Sequence, residues 1–330
     1  GTQGERVERV RAIAKAIAAQ LGDATLVAQA DQAAQLAKTD LVTDMVGEFP
    51  ELQGIMGGYY ALNDGLGETV AHAIEDHYKP RFAGDALPRN TAGVVVALAD
   101  KLETLVGMFG IGNLPTGDKD PFALRRHALG VIRMLVEKDL PLDVSALVQS
   151  AVPAFGNLIT DASAALVDFM FDRLAGSLRE QGYSAQEVDA VLALKPQRLG
   201  DVAKRLTAVR AFAALPESAA LAAANKRISN ILKKTDDVDA HVSEVLLQEA
   251  AEKALFAAMQ TVLPQAQSQW QAGDYTASLQ SLAALRVPVD AFFEDVMVNA
   301  EQLDLRLNRL GLLKSLHVAM NRVADLSRLA

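Results

Sequence analysis

The sequence predicts an all-α protein, on three observations. Of its 330 residues 57 are alanine, the strongest helix former, whereas aromatic side chains, which sheets favour, make up only 5%. Apolar residues recur at three- and four-residue spacing through almost every segment. Strict alternation of apolar and polar residues is nearly absent, the run Val94-Val95-Val96 being the stretch that most resembles a strand.

Taken in order, Val10, Ile13, Ala14, Ile17 and Leu21 define a first helix that ends near Gly22. The same spacing predicts helices over 26–47, 51–62, 68–77, 91–109 and 122–136, separated by glycine or proline breaks. Asp120-Pro121-Phe122 reads as the start of the last of these, an N-cap acceptor followed by a proline whose missing N–H costs nothing in a first turn. The helical pattern stops around Lys138-Asp139-Leu140-Pro141, and a second block runs to about Pro196 with breaks at Pro153, Gly156 and Gly182. A third block predicts helices over 200–215, 218–234, 241–271 and 274–285, then 292–329 with one or two interruptions. At about 100–200 residues per domain the length predicts two or three domains, and the pattern divides the chain at 1–144, 145–198 and 199–330.

Composition excludes several chemistries. There is no cysteine, so disulfides, thiolate metal sites and cysteine nucleophiles are absent, and the chain fits a reducing cytoplasm. The longest charge-free stretch, 254–273, carries four glutamines between Gln265 and Gln271 and a proline, so it is not expected to span a membrane. The opening Gly1-Thr2-Gln3-Gly4 is neither a start methionine nor a signal peptide, and the chain is expected to be a fragment. A net charge of −9 argues against indiscriminate binding of nucleic acid or anionic membrane.

That charge is unevenly placed. Residues 195–234 carry nine bases against two acids, 235–301 carry eleven acids against two bases, and 302–330 carry five bases against two acids. On a wheel of about 100° per residue, Lys226, Arg227, Asn230, Lys233 and Lys234 share one side of a helix, and Ile228, Ile231 and Leu232 lie on the other. Such a helix enters a core by one face and offers four cations and an amide to a polyanion by the other. The alternative is a solvated face paired with neighbouring acids such as Asp236 and Asp237.

Signatures of catalysis are mostly missing. The glycines between Gly107 and Gly117 match neither dinucleotide nor phosphate-loop spacing, and no nucleophile elbow exists. None of the five histidines stands at zinc-ligand spacing. Asp40, then His72 or His77, then Asp100 follow the order of the metal-binding residues in histidine-aspartate phosphohydrolases, which such a resemblance would assign to metal-assisted phosphoester hydrolysis. Thr39 stands where that family has the histidine of its doublet and no earlier histidine exists, so the site reads as degenerate, with no metal expected.

Longer strings carry a more specific resemblance. They are Gly1-Thr2-Gln3 before Glu5-Arg6-Val7-Glu8-Arg9-Val10, then KTDLVTDMVGEFPELQGIMG at 38–57, EDHYKPR at 75–81 and PTGDKDPFALRR at 115–126. NKRISNILKK at 225–234, FFEDVMV at 292–298 and LRLNRL at 305–310 complete the set. Together they resemble the beta subunit of bacterial heterotetrameric glycyl-tRNA synthetase, over its C-terminal half. The resemblance implies an HD-like helical domain at 1–144, a helical connecting region at 145–198 and a DALR-type anticodon-binding domain at 199–330. Leu303-Asp304-Leu305-Arg306 falls on the DALR tetrad and keeps only its Leu-Arg end. It further implies a cytoplasmic ligase complex in which the alpha subunit uses ATP and Mg2+ to activate glycine. The beta chain binds glycine tRNA, and this fragment alone is non-catalytic, without cofactor, membrane or DNA partner.

On that reading Lys226, Arg227, Asn230, Lys233, Lys234, Arg306, Asn308 and Arg309 are the expected RNA contacts, arginine to stack or to fork onto phosphate and asparagine to read a base edge. Lys119, Arg125 and Arg126, beside the glycine-rich loop, are candidates for the acceptor arm or the alpha subunit. Two rival readings stand beside it: a divalent-metal phosphohydrolase using Asp40, His72 or His77, and Asp100, and a non-catalytic scaffold for subunit assembly.

Overall fold

The structure, a computed structural model, describes residues 1–235 and 238–330. The helices are α1 (Gln3–Leu21), α2 (Ala24–Leu36), α3 (Asp44–Glu48), α4 (Ile55–Asn63), α5 (Glu68–Asp76), α6 (Thr91–Gly110), α7 (Leu124–Glu137) and α8 (Val144–Ala151). They continue as α9 (Ser163–Glu180), α10 (Ala185–Leu192), α11 (Asp201–Ala213), α12 (Ser218–Leu232), α13 (Ala250–Gln271), α14 (Tyr275–Ser281), α15 (Arg286–Asp295) and α16 (Leu303–Met320). Among the described residues no strand forms, only isolated bridges at Thr116 with Lys119 and Asp143 with Arg198. No single described helix is long and apolar enough to cross a membrane. The chain gathers into two compact units, one of Gly1–Gly176 with Gln197–Gly200, the other of Ser177–Pro196 with Asp201–Ala330.

The first unit is organised around α6, which contacts α1, α2, α5, α7 and α8 and is buried nearly all round. Val94, Val95 and Val96 belong to this helix; a helix covered on every side needs no polar stripe, which is why the run resembles a strand. The predicted helix 26–47 breaks in two. Asp40 turns its carboxylate away from the helix path to accept the Gly54 and Gly57 amides at the start of α4, at 2.6 and 3.0 Å. Gly54 sits at φ +81°, and a Cβ there would stand 2.9 Å from the Tyr78 ring, so this junction requires glycine. Helix α7 begins at Leu124 rather than Phe122, yet Asp120 still caps it, accepting the Leu124 and Arg125 amides at 2.8 and 2.9 Å.

The second unit packs α10 to α16 and the last turn, Leu326–Leu329, around Phe212, Leu221, Ile228, Leu255, Phe292, Leu313 and Leu316. Helix α13 starts at Ala250, not at 241, because the preceding segment clasps α16 instead. Asn308 accepts the Ser243 N–H at 2.7 Å and donates to the Ser243 carbonyl at 3.1 Å, while Ser315 Oγ donates to Ala240. A Cβ on Gly311 would lie 2.2 Å from the His241 carbonyl oxygen, so the clasp closes only over a glycine. Of the one or two interruptions predicted within 292–329, both occur, one between α15 and α16 and one between α16 and the last turn.

Candidate nucleic-acid interface

Helix α12 opens on the alanine-rich run Ser218 to Ala224, which favours helix, and buries Leu221, Ala222, Asn225 and Ile228 along one stripe. The polar members of that stripe lock it to α16. Asn225 and Asn321 exchange amide hydrogen bonds at 2.9 and 3.1 Å, and Ser229 Oγ bonds the Asn225 carbonyl and lies 2.9 Å from His317 Nε2. Opposite the stripe, Lys226, Arg227, Asn230, Lys233 and Lys234 are all exposed, as the wheel places them.

The two flanks of this basic ridge differ. On one, Lys226, Asn230 and Lys233 line a cleft of about 430 Å³ together with Asp189, Asp325 and Arg328. Both acids there are already neutralised, Asp189 by Arg179 at 3.0 Å and Asp325 by Arg328 at 3.1 Å. Lys226 Nζ donates to the Ala330 backbone oxygen, at 3.3 Å. On the other flank the Arg227 guanidinium lies over the Phe293 ring, 4.3 Å from its centroid. Among the described residues no Asp or Glu side chain comes within ion-pair distance of Lys226, Arg227, Lys233 or Lys234; Asp236 and Asp237, named as their possible partners, lie outside the described residues. Lys233 and Lys234 stand at the carbonyl end of the helix, whose dipole favours cations, whereas Lys226 and Arg227 sit a turn or more earlier.

The three α16 candidates separate. Arg306 is half-exposed in the first turn, without a polar side-chain partner among the described residues. Asn308 and Arg309, expected at the RNA, are interior: Asn308 is spent on the clasp, and Arg309 pairs with buried Glu252 and donates to the Met297 carbonyl at 2.7 Å. Their burial removes both from any surface contact. Sequence reasoning missed Arg328 and Phe293 as neighbours of the ridge, since each meets α12 only through the tertiary fold.

In the first unit, Lys119 and Arg126 are exposed. Arg125 is half-buried and donates to the Gly117 carbonyl, bracing the turn in which Thr116 and Lys119 exchange backbone hydrogen bonds.

Of the degenerate HD positions, Asp40, His77 and Asp100 are buried within one charge cluster. Asp100 pairs with Arg6 at 3.1 Å and Lys38 at 3.7 Å, and Lys38 lies 3.9 Å from the centroid of the Tyr78 ring. Asp40 spends Oδ2 on two amides and leaves buried Oδ1 without a partner. His77 Nδ1 is 2.5 Å from the Ile74 carbonyl oxygen, which can only accept, so Nδ1 carries the proton and buried Nε2 has no partner. His72 is half-buried on α5 with no polar side-chain partner among the described residues. These residues do not fit a divalent cation. Lys38 already faces the acids, and among the described residues no three metal-ligating side chains converge.

The cluster has a pH consequence. Burial, reinforced by Lys38, pushes His77 down to about 3, and burial with Lys101 pushes His127 down to about 4, so both are neutral in the folded chain at pH 7. An unfolded histidine titrates near 6.5, so below about pH 6.5 the unfolded chain takes up protons that the folded chain refuses. Stability is therefore whole above about pH 6.5 and falls on acidification, down to about 4 for His127 and about 3 for His77. Urea unfolding at pH 7.5, 6 and 5 is expected to show the midpoint dropping, with a shallower drop for His77→Gln; a midpoint constant over that range contradicts the buried neutral histidines.

A family model described as glycyl-tRNA synthetase beta subunit matches residues 1–193, and one described as DALR anticodon binding domain matches residues 221–326. The chain is 78% identical over 330 residues to the glycine–tRNA ligase beta subunit of Paracidovorax citrulli (strain AAC00-1), covering all of this chain and 47% of that protein. It is 76% identical to the protein of the same name from Delftia acidovorans, again over the whole chain and 47% of the relative, and 69% identical to that of Janthinobacterium sp. (strain Marseille) with the same coverage. The chain thus spans about half the length of the curated relatives it matches.

Proposed function

We propose, since the chain belongs to the glycyl-tRNA synthetase beta-subunit family, that it binds glycine tRNA and positions it for glycylation. The whole protein then works as one part of a cytoplasmic heterotetrameric ligase. ATP and Mg2+ are used on its alpha subunit, and no catalytic group comes from this chain. The HD-like block at 1–144 and the connecting region at 145–198 serve as framework, with Lys119 and Arg126 as candidate contacts for the acceptor arm or the alpha subunit and Arg125 bracing their loop. The DALR-type block at 199–330 meets the anticodon arm.

The observation that supports this reading is the ridge of α12. Four exposed cations, none paired to a described Asp or Glu side chain, stand on an otherwise acidic chain and within the segment that the anticodon-binding family model matches. Phosphate contacts of this kind fix the register of a bound RNA, and planar or amide side chains beside them inspect its bases. Lys226, Lys233 and Lys234 take the phosphates, and Arg227, Asn230 and Arg306 face the bases.

Fluorescence anisotropy with glycine tRNA at two salt concentrations tests it. Each lysine lost from a phosphate is expected to weaken binding to all tRNAs alike and to lower the salt slope by about 1. Lys226→Ala with Lys233→Ala should therefore flatten the slope by about 2 without changing the preference for glycine tRNA over an anticodon-mutated version. An unchanged affinity and slope would assign the ridge to solvent and leave the chain as an assembly scaffold.

A further inference from the structure

The flank of α12 that faces α15 differs from a plain phosphate site. Phe292 is fully buried and meets Phe293 edge to face, with centroids 5.6 Å apart, so the Phe293 ring is braced against the core. The Arg227 guanidinium rests on that ring, yet Arg227 is exposed and Phe293 only half-buried. Glu294 and Asp295 follow Phe293 in the chain, and neither comes within ion-pair distance of Arg227. One side of the guanidinium therefore lies over an aromatic ring, while among the described residues its donors have no hydrogen-bond or ion-pair partner. Asn230, three residues on and exposed, stands on the helix surface between Arg227 and the cleft that it lines with Lys226.

A phosphate asks only for charge, which a mobile lysine supplies. A guanidinium held over a ring has already lost part of the freedom that stacking would cost it and can offer its plane to a base. Unpaired bases of RNA are received in this way, on aromatic or guanidinium planes, with their edges open to hydrogen bonding. We propose that the Arg227–Phe293 stack is a platform for one unpaired nucleobase of the bound RNA, with Asn230 placed to bond the edge of that base. This rests on the tRNA-binding reading above and adds to it a division of labour along one helix: Lys226 and Lys233 toward the cleft for the backbone, Arg227 toward α15 for a base.

The test separates plane from charge. Arg227→Lys keeps the charge and removes the plane; Phe293→Leu keeps the apolar packing and removes the ring. Binding of labelled glycine tRNA is measured for both against the unsubstituted chain and Lys226→Ala, with a second tRNA carrying abasic sites through the anticodon. Each plane-removing variant is expected to lose roughly 5- to 100-fold in affinity with the salt slope unchanged. That loss should vanish on the abasic tRNA, while Lys226→Ala lowers the slope on both RNAs. Full affinity in Arg227→Lys, or an equal loss on the abasic tRNA, overturns the platform and leaves the phosphate contacts standing. A Lys226→Ala chain with an unaltered slope overturns the tRNA-binding reading and the platform with it. Unfolding midpoints of both plane-removing variants, expected near that of the unsubstituted chain, exclude a merely structural cause.

Discussion

Replacing Arg309 by alanine is expected to destabilise the second unit by about 3–5 kcal/mol, the loss that follows when one partner of a buried ion pair is removed. Glu252 is fully buried near the start of α13, where one oxygen accepts the Gln248 and Glu249 amides at 2.7 and 2.9 Å and the other accepts from Arg309. Without the guanidinium that carboxylate keeps its amides but loses its counter-charge, and the Met297 carbonyl loses its donor. Glu252→Ala should cost at least as much, because the two amides lose their acceptor as well. The double variant should fall short of the sum of the singles by about 0.5–3 kcal/mol, since each single change already breaks the shared bond. Urea unfolding followed by circular dichroism measures all three. If Arg309 were instead an RNA contact, its loss would leave the unfolding midpoint in place and act on tRNA affinity alone.

The contrast between Arg309 and Lys226 marks where sequence reasoning reaches its limit. In α12 the apolar residues fall on one stripe, so a wheel separates Ile228 from the cations, and exposure in the folded chain follows that separation. In α16 the leucines at 303, 305, 307, 310, 312, 313 and 316 run round the whole helix, and no polar face can be read from them. What buries Asn308 and Arg309 is a clasp and a carboxylate 65 and 57 residues away, which only the fold brings near. Helix periodicity likewise carried the predicted helix from 26 to 47 without seeing that Asp40 reaches Gly54 and Gly57. Local pattern specifies which residues are helical; long-range polar contacts decide where helices stop and which cations remain outside.

The first unit offers the companion case, and Asp100→Ala is expected to cost it about 3–5 kcal/mol. Burial alone would raise the Asp100 carboxyl, but Lys38 and Arg6 outweigh it and hold that group well below the usual carboxylate range. Its contribution to stability is accordingly in place at pH 7 and is lost only in strong acid, as the pH falls through the folded value. Removing it leaves the Lys38 ammonium, one of the best-buried cations of the chain, with the Tyr78 ring and the more distant Asp40 for company. Adding Lys38→Met should then recover part of the loss, because it withdraws the stranded charge while keeping the stem that packs on Tyr78. A metal-binding role for the same aspartate makes the opposite forecast. In that case Mn2+ would raise the unfolding midpoint of the unsubstituted chain, and Asp100→Ala would abolish the rise. Because Lys38 and Arg6 already neutralise Asp100, Mn2+ is expected to leave that midpoint where it is, and the same titration on Asp100→Ala with Lys38→Met should be equally flat. An Asp100→Ala chain within about 0.5 kcal/mol of the unsubstituted one would mean that the cluster is open to solvent, for only water could then replace the lost carboxylate.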